Sequence, residues 1–261
     1  MAEVGTQVYL GSVEIVSNAL LLGNDNILIN SFDSTPAPPA PPATIPQAGL
    51  QFWLDPTTYT TSGSKWLAKQ GNATGSFTGN YIYSGSTFFN MNTASVCAFN
   101  TTSSLNYGTQ PNTLFVVGRS SGSATDQHGR LIAGGNNWLM GTYGGGGGAG
   151  STESQRAYYD GQFVINDTPY DTQWRVYTAV WQNASSASFF VNGQWVAEST
   201  AGGQYGFNGF AINNGLYQTG TAGGYGENTQ ADYGDIILYD RVLTKTEITE
   251  VYDAIKSKYG L

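Results

Sequence analysis

The sequence is poor in charged residues, and this shortage already excludes several classes of protein. Charged residues make up 11% of the 261 residues, far below the roughly 25% of an average globular domain. So few charges cannot keep many helices soluble, whereas a turn-rich β-sandwich coated in Gly, Ser, Thr, Asn and Gln needs fewer. The net charge is −8, and no Lys or Arg precedes Lys65. Because phosphate binding requires basic side chains, nucleic acid is not an expected partner.

Cysteine, histidine and long apolar runs are also scarce. Cys97 is the single cysteine, so no intrachain disulfide can form, and its setting SVCAF indicates a small core residue. His128 is the single histidine, in the loop-like TDQHGR, which argues against a His-rich zinc site and against a Ser-His-Asp triad. No segment approaches the ~20 apolar residues that span a bilayer, so we expect no membrane insertion. The first residues do not read as a secretory signal, so we expect synthesis in a cytoplasm.

Prolines divide the chain. Six of the nine prolines lie in TPAPPAPPATIP, residues 35–46, a composition that favours extended polyproline II and acts as a semi-rigid spacer. The sequence therefore predicts an N-terminal arm over residues 1–34, a linker over residues 35–47 and a large domain over residues 48–261.

The N-terminal arm has too much apolar sequence for a solvated tail and too few residues to fold alone. VYLGSVEIV and NALLLGNDNILINSF read as short β-like runs around the turn GNDN. We expect the arm to dock onto a partner or to self-associate; the alternative is that it packs back on its own domain. The predicted docking residues are Val8, Leu10, Leu20, Leu21, Leu22, Ile27, Leu28 and Ile29.

The large domain reads as many short strands separated by turns, which is typical of an all-β sandwich. One predicted strand covers residues 77–83, and Asn192-Gly193 and Asp160-Gly161 predict two-residue hairpin turns. Near the C-terminus a strand precedes a helix that opens with a capping box of Thr244 and Glu247. Ile248, Val251, Tyr252 and Ile255 follow at helical spacing, and Gly260 ends the helix.

Four motifs in a fixed order resemble those of the concanavalin A-like, laminin-G-like jelly-roll domains. They are LQFWLDP with KWLAKQGN, TLFVVGR from Thr113, the NG-turn hairpin from Trp174 to Ser199, and the ending from Tyr233 to Leu261. The resemblance implies a two-sheet antiparallel jelly roll with one C-terminal α-helix. In the hallmark strands it also favours a core position for Trp53, Trp66, Trp174 and Trp181. This fold hosts lectins, adhesins, glycanases and inert virion modules alike, so it does not fix the function.

Glycan cleavage on this fold would require two carboxylates about 5–10 Å apart. Glycanases of the fold often carry them as E-x-D-x-x-E on one strand, and this pattern is absent from the sequence. The acidic residues fall mostly in loops or near the C-terminal helix. We therefore expect no enzymatic activity.

Aromatic residues beside glycines in loops are the candidates for glycan binding, because sugar CH groups stack on aromatic faces. They are Trp138, Tyr143, Tyr205, Tyr217 and Tyr225. Calcium is a second candidate ligand, for Glu227, Asn228 and Asp232 in GENTQAD; the alternative is ordinary turn chemistry of Asn and Asp. No other cofactor is expected.

A small anchor, a stiff spacer and a globular head form the architecture of a display module. Together with the low charge, it predicts a non-enzymatic structural protein of a bacteriophage virion, such as a head decoration, a fibre or a tail appendage. Its expected partners are other virion proteins through residues 1–34, further copies of itself with trimers favoured, and surface glycans. The alternatives from other classes are a free carbohydrate-binding lectin and a glycan hydrolase.

Overall fold

The chain divides into two compact units, Met1–Pro41 and Pro42–Leu261. The computed structural model describes residues 3–10, 13–22, 26–28, 44–71, 73–78, 81–91, 96–99, 106–107, 111–120, 129–134, 139–143, 154–159, 162–169, 172–183, 185–200, 207–208, 210–212, 217–218, 221–222 and 231–261.

The first unit holds a three-stranded antiparallel sheet in the order β1-β2-β3. Its strands are β1 (Glu3–Leu10), β2 (Val13–Leu22) and β3 (Asn26–Leu28). The β-like arm predicted from the sequence is therefore present as strands. The described strands β2 and β3 flank the predicted GNDN turn and pair with Leu22 opposite Asn26.

The second unit is a sandwich of two antiparallel sheets with one α-helix, as the sequence predicts. Its strands are β4 (Leu50–Leu54), β5 (Tyr59–Thr60), β6 (Lys65–Leu67), β7 (Gln70–Gly71), β8 (Thr74–Thr78), β9 (Ile82–Tyr83), β10 (Phe88–Met91), β11 (Val96–Phe99), β12 (Asn106–Tyr107), β13 (Asn112–Ser120), β14 (Gly129–Gly134), β15 (Leu139–Tyr143), β16 (Ser154–Tyr159), β17 (Gln162–Pro169), β18 (Arg175–Asn183), β19 (Ser186–Val191), β20 (Gln194–Ser199), β21 (Phe207–Asn208), β22 (Phe210–Ile212), β23 (Tyr217–Gln218), β24 (Thr221–Ala222) and β25 (Ala231–Tyr239). The helix α1 is Lys245–Ile255, and 3₁₀ turns cover Pro56–Thr58 and Lys256–Tyr259.

The strands form two large sheets. The helix-side sheet has the order β20-β19-β18-β13-β25-β10-β9, and β4 pairs with both β25 and β7. The outer sheet has the order β17-β16-β15-β14-β22-β11-β8-β6-β5. Two short ribbons, β12 with β21 and β23 with β24, complete the described strands.

The central strands β13 and β25 of the helix-side sheet are buried on both faces. Along β13, Leu114 and Val116 pack between the two sheets, whereas Phe115 and Val117 pack between this sheet and α1. Successive side chains of a strand point to opposite faces, so a strand in the middle layer must be apolar at every position. This explains why TLFVV and IILY read as continuous apolar runs rather than as alternating ones.

Local signals near the C-terminus are confirmed. The Thr244 Oγ1 accepts a hydrogen bond from the Glu247 N–H, and the Glu247 carboxylate accepts one from the Thr244 N–H. Ile248, Val251 and Ile255 are buried against the helix-side sheet, so α1 covers the outer face of that sheet.

The Asn192-Gly193 turn is also confirmed. Both residues have positive φ, 51° and 74°, and Val191 pairs with Gln194 across them, which is a type I′ hairpin. The other predicted hairpin turn, at Asp160 and Gly161, lies outside the described residues, although the flanking strands β16 and β17 do pair.

One predicted strand is wrong. Residues 77–83 do not form a single strand, because Phe77 belongs to β8 of the outer sheet and Ile82 to β9 of the helix-side sheet. The chain changes sheets between them, and an apolar run in the sequence does not show such a crossing. Phe77, Tyr59, Tyr81, Tyr83 and Phe88 then contact one another and close this edge of the sandwich.

The tryptophans and the linker boundary show where the core begins. Trp66 and Trp181 are buried between the sheets, while Trp53 and Trp174 are partly buried against the α1 side. Ile45, which the sequence analysis places in the linker, packs in the same α1-side core, and the Tyr239 hydroxyl donates to the Pro46 carbonyl. Within the described residues, no helix is long and apolar enough to cross a membrane.

Candidate functional site

The most strongly charged cluster in the described residues is buried beneath the C-terminal turn. We call it the Lys258 cluster; its members are Trp53, Asp55, Lys69, Asp235, Lys258 and Tyr259. The Lys258 Nζ lies 2.5 Å from the Asp55 Oδ1 and 3.2 Å from the Asp235 Oδ2. Lys69 adds a second ammonium, 3.2 Å from the other Asp55 oxygen. One lysine therefore joins residues that are 203 and 23 positions away in the chain.

Asp235 is the most enclosed member, with 1% of its surface exposed. Its carboxylate accepts hydrogen bonds from the Trp53 Nε1, at 2.8 Å, and from the Tyr259 hydroxyl. The same hydroxyl accepts a bond from the Asp235 N–H. The phenol ring fits here because residue 234 is glycine: a Cβ at Gly234 would lie 2.4 Å from the Tyr259 Oη.

The two carboxylates respond differently to this environment. Burial alone would raise the pKa of Asp55, but hydrogen bonds from Lys258 and Thr57 outweigh it and lower the pKa to about 2. For Asp235, complete burial is the largest effect and raises the pKa, although Lys258, Tyr259 and Trp53 oppose the increase. Asp55 is thus held ionised at neutral pH, whereas burial raises the pKa of Asp235.

The cluster brings several of the sequence motifs together in space. Asp55 comes from WLD, Asp235 from YGD, and Lys258 and Tyr259 from KYGL. Trp66, from KWL, donates to the Asp55 carbonyl oxygen at 2.8 Å. The motifs therefore meet in one buried network that fastens the C-terminal turn to the helix-side sheet. Because both carboxylates are almost completely enclosed, the arrangement is one of structural attachment.

A surface candidate lies on the edge strand β20. Trp195 is 47% exposed, an unusual accessibility for tryptophan, and follows the Asn192-Gly193 turn directly. It pairs with Phe190 and so shares the α1 side of the sheet. The Lys245 Nζ, at the start of α1, lies 6.0 Å from the centre of its ring. An aromatic face beside an ammonium group can stack on a sugar ring and bind its hydroxyl or carboxylate oxygens.

Sequence reasoning missed Trp195, because an apolar run such as FFV-NG-QWV reads as core on both strands. A signal was nevertheless available. After Trp195 the strand continues as VAES and then reaches a glycine-rich stretch. Such a sequence is typical of a strand at the edge of a sheet, where no further strand covers a bulky side chain.

The structure describes two of the five residues that the sequence predicts to bind glycans. Tyr143 lies at the end of β15 and Tyr217 at the start of β23. Trp138, Tyr205 and Tyr225 lie outside the described residues. The prediction that these five aromatic residues bind glycans therefore stays a prediction.

Of the three predicted calcium ligands, the structure describes Asp232 alone. Asp232 is 2% exposed, and its Oδ2 accepts a hydrogen bond from the Arg119 Nε at 2.7 Å. Glu227 and Asn228 lie outside the described residues. In the part of the chain that the structure describes, no three His, Cys, Asp or Glu side chains are grouped as a metal site. At Asp232, the structure thus shows an ion pair with Arg119.

The predicted docking residues divide between the two faces of the N-terminal sheet. Residues that pair directly across antiparallel strands share a face. By this register Val8, Leu10, Leu21 and Ile27 lie on one face. Leu20, Leu22 and Leu28 lie on the other, and Ile29 is outside the described residues.

Comparisons with known proteins connect the chain to solved structures alone. No protein-family model matches the chain, and no curated protein does. The receptor-binding domain of botulinum neurotoxin C/D mosaic serotype is similar with a TM-score of 0.57 and 14% identity, over 78% of this chain and 51% of that one. The binding domain of Paraclostridial Mosquitocidal Protein 1 is similar with a TM-score of 0.53 and 14% identity, over 78% and 52%.

A sialidase is also similar. Trypanosoma rangeli sialidase in complex with the inhibitor DANA gives a TM-score of 0.52 and 16% identity, over 83% of this chain and 34% of that one. The chain therefore spans about half the length of the toxin domains and about a third of the sialidase. At this level of identity the likeness shows the fold: an antiparallel β-sandwich shared with these proteins.

Proposed function

We propose that this chain is a non-enzymatic display protein, with a jelly-roll head that binds surface glycans and an N-terminal arm that anchors it in a larger assembly. The assembly we favour is a bacteriophage virion, in which the chain is a decoration, fibre or tail appendage and forms homo-oligomers. The head faces outward and the arm contacts other virion proteins.

The exposed Trp195 is the observation that carries glycan binding. A tryptophan that stays 47% exposed leaves a large apolar face in water, and a ligand that covers this face removes it from water at a gain in free energy. The ammonium group of Lys245 lies at the outer limit of a cation–π contact, 6.0 Å from the ring. This contact is weak enough for a sugar ring to replace it, and the ammonium then donates to sugar oxygens.

The roles of two similar proteins support a binding role for the head. One is a receptor-binding domain and the other a binding domain, both of toxins. Since the likeness extends to the fold alone, it leaves the ligand to be identified by experiment.

The sialidase likeness favours a second candidate, glycan hydrolysis. Asp55 and Asp235 contact one ammonium and are therefore close neighbours, and most glycosidases, although not the sialidases, use two close carboxylates. Both are nevertheless buried, and their oxygens are engaged by Lys258, Lys69, Thr57, Trp53 and Tyr259. A glycosidic bond cannot reach them without opening the C-terminal turn, so we favour binding without cleavage.

The arrangement of the chain supports the anchor. A short β-sheet unit, a proline-rich segment and a large sandwich follow one another. The composition of the proline-rich segment favours extended polyproline II, at about 3.1 Å per residue, and such a segment would suit a head that projects from a particle.

Glycan binding is tested by measuring the affinity of the full chain for immobilised glycans, and then of the Trp195→Ala and Lys245→Met variants. We expect Trp195→Ala to weaken binding at least about 10-fold, since stacking and burial of one aromatic ring contribute more than about 1.4 kcal/mol. Leu67→Ala is the matched control, because Leu67 is also an exposed apolar residue, at 42%. Equal affinity of the wild type and Trp195→Ala would remove Trp195 from the site.

A further inference from the structure

The N-terminal sheet has two chemically different faces. The register of β1 with β2 and of β2 with β3 places ten residues on one face. We call it the apolar face; it holds Val4, Thr6, Val8, Leu10, Val13, Ile15, Ser17, Ala19, Leu21 and Ile27. None of these ten residues is charged. The opposite face is mixed and carries Glu3, Gln7, Glu14, Asn18 and Asn26 among its residues.

We propose that the apolar face binds the same face of another copy of this chain. This inference rests on the proposed function only in treating residues 1–34 as an association segment; it does not depend on glycan binding. The two sheets then stack face to face as a small β-sandwich, which is a common packing mode of amphipathic sheets.

The size of the apolar face fits such an interface. Burying one Val, Leu or Ile gains about 1.5–3 kcal/mol, which at about 25 cal/mol per Å² corresponds to about 60–120 Å². The face has seven such residues, so two copies together offer roughly 800–1,700 Å². This range overlaps the about 1,200–2,000 Å² of stable protein–protein interfaces.

The distribution of charge favours a second copy as the occupant. The chain has a net charge of −8, so two copies repel each other unless their contact surface is uncharged and the acidic residues stay apart. The register meets both conditions, because Glu3 and Glu14 lie on the face opposite to the apolar one. A self-complementary contact of this kind repeats the same residues on both partners.

The N-terminal sheet is a single layer of three strands. A sheet of this length cannot bury one whole face by itself, so the second copy supplies the missing layer.

The test is the mass of the purified full-length chain in solution, by sedimentation equilibrium over a range of concentrations. We expect an even multiple of 27.8 kDa for the wild type, because a contact between identical faces joins the chains in pairs. We expect Ile15→Asp, on the apolar face opposite Val8, to weaken self-association by more than about 100-fold, because a carboxylate would be buried without a partner.

Val16→Asp is the matched control, since Val16 is the next residue of the same strand but lies on the mixed face opposite Gln7. It should leave the mass unchanged. A monomeric wild type would overturn the proposal and indicate that another protein or the chain's own head covers the apolar face. Retained assembly in Ile15→Asp, or an equal loss in both variants, would overturn it as well. None of these results bears on glycan binding, which has its own assay.

Discussion

Removing the ammonium group of Lys258 is the most informative perturbation of the head. Lys258→Met keeps the length and much of the apolar volume of the side chain but removes its charge. Asp55 and Asp235, 5% and 1% exposed, then remain close together without the cation that lies between them. Asp55 keeps Lys69, whereas Asp235 keeps only its neutral donors.

The expected cost follows from the burial of the pair. Removing one partner of a buried ion pair costs about 3–5 kcal/mol, because a charge stays buried without compensation. The Lys258 side chain retains 24% exposure, which places the cost near the lower end, about 3 kcal/mol. In a domain of this size about 1 kcal/mol lowers Tm by about 2–4 °C, so we expect Tm to fall by about 6–12 °C.

The measurement is thermal unfolding at pH 7, followed by calorimetry and by near-ultraviolet circular dichroism. Lys256→Met is the matched control, because the Lys256–Asp253 pair is exposed, at 39% and 44% of its side chains, and exposed ion pairs contribute little to stability. The control should lose less than about 4 °C. If both variants lose the same amount, the buried cluster does not fasten the C-terminal turn and the reasoning is refuted.

Two further predictions concern neighbouring contacts. Gly234→Ala should destabilise the head by about 1–3 kcal/mol, because the new Cβ would lie 2.4 Å from the Tyr259 ring. In a Tyr259→Ala background most of this cost should disappear. If the two substitutions have strictly additive effects on the free energy of unfolding in denaturant, the contact is contradicted. The Arg241 hydrogen bond and the helix-start N–H of Thr244 lower the pKa of Glu247 from 4.5 to about 2, so its contribution to stability is complete above pH 4.5 and is lost as the pH falls toward 2. The Tm difference between the wild type and Glu247→Gln should therefore close over this interval, and a difference that stays constant down to pH 2 would count against the ion pair.

Local features of the fold could be predicted from the sequence because they depend on a few adjacent residues. The capping box of Thr244 and Glu247 and the turn at Asn192 and Gly193 both have the expected hydrogen bonds or dihedral angles. The resemblance that the four motifs carry also predicted the two-sheet sandwich and its closing helix. The prediction of one strand over residues 77–83 was wrong, because the sheet to which a strand belongs is decided by its distant pairing partners and not by its own apolar residues.

The site residues were harder to predict for the same reason. Asp55 and Lys258 are 203 positions apart, and no local pattern indicates that they meet. Trp195 was missed because its exposure depends on its position at the edge of the sheet. The sequence does show that the acidic residues lack the spacing of a glycanase strand, and the absence of enzymatic activity stays a prediction.

The most direct test of the central proposal is to incubate the full-length chain with a glycan array and to analyse the bound and unbound glycans by mass spectrometry. The account predicts that at least one class of surface glycan is retained, that its mass is unchanged after prolonged incubation, and that Trp195→Ala loses the retention. Cleaved glycans would show an enzyme, and a silent array at high protein concentration would contradict glycan binding by this head.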